Sequence, residues 1–371
     1  MSLLPIKPIF SSVAVLIGLS VCALAQTPTP TPFDNDDPVK VDTEEIKLNV
    51  SAFDRFGEFV PEVKKDDIVI IEDGRLHQPN SVRRIPANVL IVLDMGGEMR
   101  HAKSLKQTSR AAIELVQALS NKDSVAILEY HDRAKILTEW TSNKQKLIQD
   151  LSKKLNFGKR AVFVDAIKLA TKFLSKSKNE NRHLVLITDG TDSFDRNVER
   201  EKEMKKLMTT NINVHVISYT ALERAIVEPK TRRGKAKPHK NTLPDEVVAG
   251  LPEGLRRVNR APKFGAVNLD KKFLRVMRKR NQDLIDSEKY LLNLTENTSG
   301  MFLLPETKEE MLEKTSVIAR IIDSNYVVNY TPKRPLSESK NGEIRTIEVI
   351  SRKTGLQVLA KRKLLVQNEK N

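Results

Sequence analysis

The sequence predicts an α/β protein: a doubly wound, mostly parallel sheet flanked by N- and C-terminal β segments. Three observations carry this. Two continuous apolar runs, ANVLIVLD (87–94) and HLVLITDG (183–190), end in aspartate, the pattern of buried parallel strands that run into a loop. Around them, strand-like runs alternate with helical stripes, the rhythm of crossover connections. Outside residues 86–324 the rhythm changes to short stretches of period-two alternation punctuated by turn residues.

The first 25 residues set the expected address. MSLLPIKPIF carries one lysine, SVAVLIGLSVCALA is apolar, and Ala23-Leu24-Ala25 is a small-x-small cleavage site. That is the pattern of a secretory signal, so the mature chain is expected to be exported, either periplasmic or secreted. Cys22 is the chain's one cysteine. Cleavage after Ala25 leaves none, which excludes disulfides, thiol chemistry and cysteine-ligated zinc. Residues 26–40 follow as a Pro/Thr-rich tether ending in an acidic patch.

Residues 41–85 read as a small β unit. EIKLNVSAFD alternates like a strand. DIVIIEDGRLHQPNSVRRI gives a strand, a hairpin at Glu72-Asp73-Gly74 and a return strand. ANVLIVLD then opens the α/β region. A helical stripe over 101–119 places Ala102, Leu105, Ala112, Leu115 and Leu119 on one face. Strands at 124–130 and 134–140 follow, the second close enough to form a hairpin edge. Ser142 and Gln145 suggest a capping box for a helix carrying Leu147, Ile148, Leu151 and Leu155. A helix over 162–174, the strand in 183–190, a charged helix over 196–210 and a strand over 212–219 complete the alternation.

Residues 221–268 break it with Pro, Gly, Lys and Arg, and read as a basic insertion. Across 221–286, 17 lysines and arginines stand against 8 acids, so much of the chain's net charge of +15 sits here. A long helix near 270–297, a short edge strand within 298–305 and a helix over 308–323 close the region. Residues 325–371 form a C-terminal β segment of three strands, expected to pair with the N-terminal unit or to make a small sheet of its own.

Ligands of open α/β sheets bind at the carboxyl ends of the strands, where the strand order reverses. Asp94 and Asp189 stand at two such ends, each followed within two residues by a glycine that lets backbone approach closely. Two carboxylates in one crevice repel unless a cation or proton intervenes. A hard divalent ion would ask for oxygen ligands at about 2.1 Å. Taken singly, each aspartate serves equally well as a cap or a loop hydrogen-bonding group.

The segment Asp94-Met95-Gly96-Gly97-Glu98, the Ala161-Val162-Phe163-Val164-Asp165-Ala166 segment and Leu186-Ile187-Thr188-Asp189-Gly190 resemble the von Willebrand factor type A domain. Nearly the whole chain after the tether, the 221–268 insertion excepted, resembles the secreted bacterial proteins described as VWFA-related, common in Acidobacteria-like genomes. The further motifs are Glu72-Asp73-Gly74, Thr298-Ser299-Gly300 and Asn325-Tyr326-Val327-Val328-Asn329-Tyr330-Thr331-Pro332.

The resemblance implies a metal-ion-dependent adhesion site built from Asp-x-Ser-x-Ser, a threonine and a further aspartate. Carried over position by position, the first aspartate is Asp94 and the last is Asp189. The serine positions hold Gly96 and Glu98, and the threonine position holds Ala161. Two hydroxyl ligands are absent and a third is exchanged for a carboxylate. A degenerate site of Asp94, Glu98 and Asp189 is the expectation. No resident cofactor is expected, with at most loose magnesium or calcium held through waters. Failing an ion, Arg100, Lys159 or Arg160 would pair with these acids, and Asp165 would support loop and helix geometry.

Other chemistries find little support. The six histidines show no ligand spacing such as His-Glu-x-x-His. His183 and His215 lie inside strands, while His101 and His131 lie near strand ends. No Gly-rich phosphate loop is present, and no enzyme activity is expected. Phe264 and Phe273 are the only aromatics across 221–286, too few for nucleic-acid stacking, so no nucleic acid is expected as partner. The expected function is an exported protein-interaction or adhesion module. It would meet an unidentified protein through the loops near 95–101, 158–161 and 190–197. The alternative is a cell-envelope structural or assembly factor acting through the β segments and the basic insertion, with an anionic envelope surface as its partner.

Overall fold

Strand β5 (Asn88–Asp94) is buried on both faces, which is why its sequence is apolar without alternation. The structure, a computed structural model, describes residues 44–97, 105–232, 270–361 and 363–366. In it β5 lies within a six-stranded sheet. The order is β10 (Phe302–Leu303), β9 (Ile212–Ser218), β8 (Arg182–Thr188), β5, β6 (Ser124–Tyr130) and β7 (Ala134–Thr141). Neighbours run parallel except β7, which returns antiparallel along β6 as the edge hairpin. From β5 the chain moves outward to β6 and β7, then returns on the other side through β8, β9 and β10. The order therefore reverses between β5 and β8, and their carboxyl ends flank the crevice.

Alternate residues of β5 feed two cores. Val89, Ile91 and Leu93 pack with helices α1 (Leu105–Ala118), α2 (Lys144–Lys153) and α7 (Lys308–Asp323). Leu90 and Val92 pack with α3 (Phe163–Ser175), α4 (Asn197–Thr209) and α6 (Lys271–Asn297). Each fully buried aliphatic side chain contributes about 1.5–3 kcal/mol relative to exposure. Two local expectations shift. Helix α2 starts on Asn143, whose side chain accepts from Lys146 N at 3.0 Å, one residue past the expected Ser142 cap. The first residues of the supposed insertion are ordered as α5 (Thr220–Val227), since Ala-Leu-Glu-Arg-Ala is good helix material and Val227 finds Met277 and Leu284 of α6.

The two flanking β segments interleave. One four-stranded sheet has the order β13 (Gln357–Ala360), β1 (Ile46–Phe53), β11 (Asn325–Tyr330), β4 (Ser81–Arg83). The other is β14 (Lys363–Leu365), β12 (Ile344–Ser351), β2 (Ile68–Glu72), β3 (Arg75–His77). Leu48, Val50, Ile68, Ile70, Tyr326 and Val328 share their core. Asp73 (φ 48°) and Gly74 (φ 76°) both take the left-handed conformation that a two-residue type I′ hairpin requires. Asp73 Oδ1 also accepts from Thr346 N at 2.8 Å, which fixes β12 beside the hairpin. Arg345, fully buried, donates to Glu72 Oε1 (2.8 Å) and to the carbonyls of Arg334 and Pro335 (both 2.7 Å).

This sandwich joins the α/β domain through polar contacts. Asn49 Nδ2 donates to Asn213 Oδ1 at 3.2 Å, and Asn325 Nδ2 to Asn181 Oδ1 at 2.8 Å. The Lys361 ammonium, buried, donates to the carbonyls of Met208 and Thr210 at the end of α4. Asn181 Oδ1 also meets His183 Nε2 at 2.8 Å, and His183 Nδ1 lies 3.0 Å from His215 Nε2. Met301 N donates to His215 Nδ1, which sets both tautomers: His215 donates to His183, and His183 to Asn181.

The expected signal and tether, and most of the basic insertion (233–269), lie outside the described residues. Among the described residues, no helix is long and apolar enough to cross a membrane.

Candidate functional site

Asp94 ends β5 and is fully buried. Its Oδ1 accepts from Gly96 N at 3.1 Å, the short-range bond that turns the chain out of the sheet. Its Oδ2 accepts from Thr188 Oγ1 at 3.2 Å. Thr188 in turn accepts from Gly190 N at 2.7 Å and meets Tyr130 OH at 2.6 Å. With the Thr188 proton given to Asp94, Tyr130 is the donor of that pair. Burial, together with Asp94 and Asp189 nearby, pushes the Tyr130 phenol well above its ordinary range, so it stays protonated and donating. Asp94, Thr188 and Tyr130 thus tie the ends of three adjacent strands, β5, β8 and β6.

Asp189 follows β8 and is also fully buried. Oδ1 accepts from Thr191 N (2.8 Å) and Thr191 Oγ1 (2.7 Å). Oδ2 accepts from Arg280 Nη2 at 3.1 Å. Arg280 comes from the first half of α6. It also donates through Nε to Glu223 Oε1 at 2.7 Å and through Nη1 to Thr191 Oγ1 at 2.8 Å. Burial alone would lower the basicity of this guanidinium. Asp189 and Glu223, with Asp94 beyond them, reverse that and raise it above its ordinary value. Arg280 is therefore a permanent cation at the reversal point of the sheet.

The complete set of hydroxyl ligands that the resemblance would call for does not fit the described residues. The Arg280 guanidinium already takes Asp189 Oδ2. At Gly96, an added Cβ would lie 1.9 Å from the Arg160 carbonyl oxygen and 2.9 Å from Ala161 Cα, so no side chain of any kind fits where the first serine hydroxyl would stand. Ala161 offers backbone only, and that backbone is engaged: its N–H donates to Ser193 Oγ at 2.7 Å and its carbonyl accepts from Ser193 N at 2.8 Å. Glu98 lies outside the described residues, as do Arg100 and His101. Among the described residues no group of three or more His, Cys, Asp or Glu side chains could hold a metal.

Among the described residues, Arg280 and neither Lys159 nor Arg160 pairs with Asp189. Arg160 instead stacks its guanidinium 5.4 Å from the Phe194 ring centroid, and Lys159 and Arg160 give their backbone N–H groups to Asp132. Asp165 accepts from Arg196 Nη1 at 3.0 Å, and Arg196 Nη2 also holds Asp192 at 2.8 Å, a brace between α3 and the loop after β8. His131 lies at the end of β6 near Glu129, which Lys135 Nζ meets at 2.8 Å.

Gly97, the 159–161 loop, the 191–193 loop and the α6 residues Val276, Met277 and Arg280 surround a cavity of about 370 Å³ over this buried network. The three expected loops therefore meet in one place. Arg280 and Glu223 are the residues that sequence reasoning missed. The available signal was helical phase: Met277, Leu284 and Leu291 form the buried stripe of α6, and Arg280 stands on it, three residues after Met277 and four before Leu284.

Residues 89–191 match the von Willebrand factor type A domain family. The uncharacterized protein sll0103 of Synechocystis is 26% identical over 140 residues, covering 37% of this chain and 33% of that protein. This chain thus spans about a third of the length of that curated relative. Among solved structures, a von Willebrand factor type A protein from Catenulispora acidiphila aligns over 89% of this chain and 76% of its own, with 8% identity and a TM-score of 0.42. An aerotolerance-related membrane protein from Bacteroides fragilis aligns over 64% of this chain and 98% of its own, with 15% identity and a TM-score of 0.37.

Proposed function

We propose that this chain, built around a von Willebrand factor type A domain, is an exported, non-catalytic protein-interaction module whose strand-end face works without a divalent cation. The observation that carries the reading is Arg280. A guanidinium tethered to α6 pairs with both Asp189 and Glu223, at distances of 3.1 and 2.7 Å, and offsets one of their two charges from within. It does by covalent attachment what an ion would do by binding. The blocked position at Gly96 supports the same reading, since it removes room for a hydroxyl ligand. The proposal includes the narrower kinship with the secreted bacterial VWFA-related proteins and their degenerate sites. It is supported by the way the Glu72-Asp73-Gly74 hairpin and the Asn325–Tyr330 strand interleave to frame the α/β domain.

Titration calorimetry of the purified chain with magnesium, manganese and calcium tests it. Weak or absent heat is the expected result. Tight binding abolished by Asp94→Ala would overturn the cation-free reading.

A further inference from the structure

We propose that the groove between the outer face of strands β12 and β14 and the helices α4 and α6 holds the acyl chain of a long-chain fatty acid, with its carboxylate at Lys205 and Lys363. The groove shares no lining residue with the cavity at the strand ends, and its occupation does not depend on the cation-free reading.

Alternation along β14 builds one wall. Leu364 packs against the sandwich core, so Lys363 and Leu365 turn to the outer face, where Leu365 stands beside Ile344 of β12. Two helices build the other side. Glu201, Met204, Lys205 and Met208 recur at intervals of three and four along α4 and so share one of its faces. Tyr290, Asn293 and Leu294 do the same on α6. These elements surround about 640 Å³, within the range of small-molecule sites. Met204 and Leu294, 3% and 2% exposed, form a floor continuous with the α/β core, while Ile344 on the sheet side is 58% exposed. The Tyr290 hydroxyl donates to the Arg200 carbonyl at 3.3 Å, so it asks nothing of an occupant.

The lining selects the occupant. Methionine is unbranched and flexible, so Met204 and Met208 can follow the bends of a methylene chain. The buried floor asks for something narrow, because a flat protein face would rest on Ile344 without reaching Met204 or Leu294. Charge then picks the head group. Lys205 and Lys363 stand against a single lining acid, Glu201, and none of the three forms an ion pair among the described residues. Glu343, next to Ile344 in the chain, is spent on Arg334. Lys361 brings a third ammonium to the end of α4, where it donates to the carbonyls of Met208 and Thr210. The balance left after Glu201 is positive, which suits one singly charged anionic head on an apolar tail. An alkane would leave the lysines unused, and a long-chain amine would meet repulsion. The sequence after Val366, Gln-Asn-Glu-Lys-Asn, has no apolar side chain to lay over the floor.

The test is displacement of cis-parinaric acid from the delipidated full chain by palmitate, hexadecanol and hexadecylamine, each below its micelle concentration and all in EDTA. Palmitate is expected to displace the probe with one molecule per chain, and hexadecylamine to need about tenfold more. Lys363→Glu should weaken palmitate about fivefold and remove its advantage over hexadecylamine. Ile344→Asp, which sets a carboxylate on the apolar wall, should weaken all three. Both side chains are exposed, so each variant is expected to keep the parent's circular dichroism and melting temperature. Absence of saturable binding would overturn the proposal, as would a preference for hexadecylamine or affinities that neither substitution moves. A dimer in sedimentation that Ile344→Asp dissolves would overturn it in favour of a second copy of the chain. Phosphatidylglycerol vesicles that outcompete palmitate, and whose binding is lost in Ile344→Asp, would overturn it in favour of a membrane surface.

Discussion

Arg280 Nη2 lies 3.1 Å from Asp189 Oδ2, joining the middle of a sheet to the face of a helix 91 residues further along the chain. The pair is buried on the acid side and part-exposed on the base side. Removing one partner of such a pair leaves the other uncompensated, which typically costs about 3 kcal/mol or more. Arg280→Ala should therefore lower unfolding stability by about that amount in urea titrations, whereas Arg280→Lys should recover only part of it, because an ammonium cannot serve Asp189, Glu223 and Thr191 as a planar fork.

Gly96→Ser restores, on paper, a hydroxyl at a ligand position. A Cβ there would overlap the Arg160 carbonyl, so the expected outcome is lost stability, about 1–3 kcal/mol in chemical denaturation, with no gain in magnesium heat. A stable variant that binds magnesium would show that the 159–161 loop yields readily.

Acid should loosen the joint between sandwich and α/β domain. Burial lowers His183 well below its ordinary value, with His215 adding to the effect, and lowers His215 to about 3. Both pKa values are depressed in the fold, so the stabilising contribution is complete above the unfolded value near about 6.5 and is lost as pH falls below it, until the folded values are reached. The slope should be up to about 1.4 kcal/mol per pH unit for each ring. His215→Gln, whose amide can still accept from Met301 N and donate to His183, should reduce the slope by one ring's share in denaturation series between pH 4 and 7 run at about constant ionic strength. An unchanged slope would mean that other groups govern the acid limb.

Arg345 and Glu72 form the second buried pair, inside the sandwich. Arg345→Leu should cost about 3–5 kcal/mol, and Arg345→Leu/Glu72→Leu should cost less than Arg345→Leu alone. A double variant worse than either single one would show that the carbonyl contacts of Arg345, and not its charge, are what the sandwich depends on.

The α/β strands were legible because burial on both faces leaves an unbroken apolar run, as in Val89 to Leu93. The helices α3, α6 and α7 were legible from their stripes to within a residue or two. The interleaving of the β segments was not fixed by sequence, since short alternating strands such as Ser81–Arg83 say which face is apolar and nothing about which neighbour they take. The site was legible as a place and not as a constellation. Asp94, Gly96, Ala161 and Asp189 could be located on strand ends and loops, but the arginine that meets Asp189 sits among 17 basic residues across 221–286. Only its phase on α6 sets it apart.

The pairing of β1 with β11 carries a kinetic consequence. Ser51 and Asn325 are partners 274 residues apart, and four of the six strand pairings of the sandwich join the N-terminal to the C-terminal segment. Closing a loop of that size in an unstructured chain is slow, and pairings of this kind dominate the folding time of β-rich proteins. A folded α/β domain would shorten that loop, because Arg84 Nη2 and Asp323 Oδ1, at its two ends, lie 2.8 Å apart. A chain threaded from its N-terminus must therefore keep β1 unpaired until β11 has emerged. During that interval the apolar face of Ile46–Phe53 lacks both of its partner strands, the kind of exposed edge from which misfolding starts.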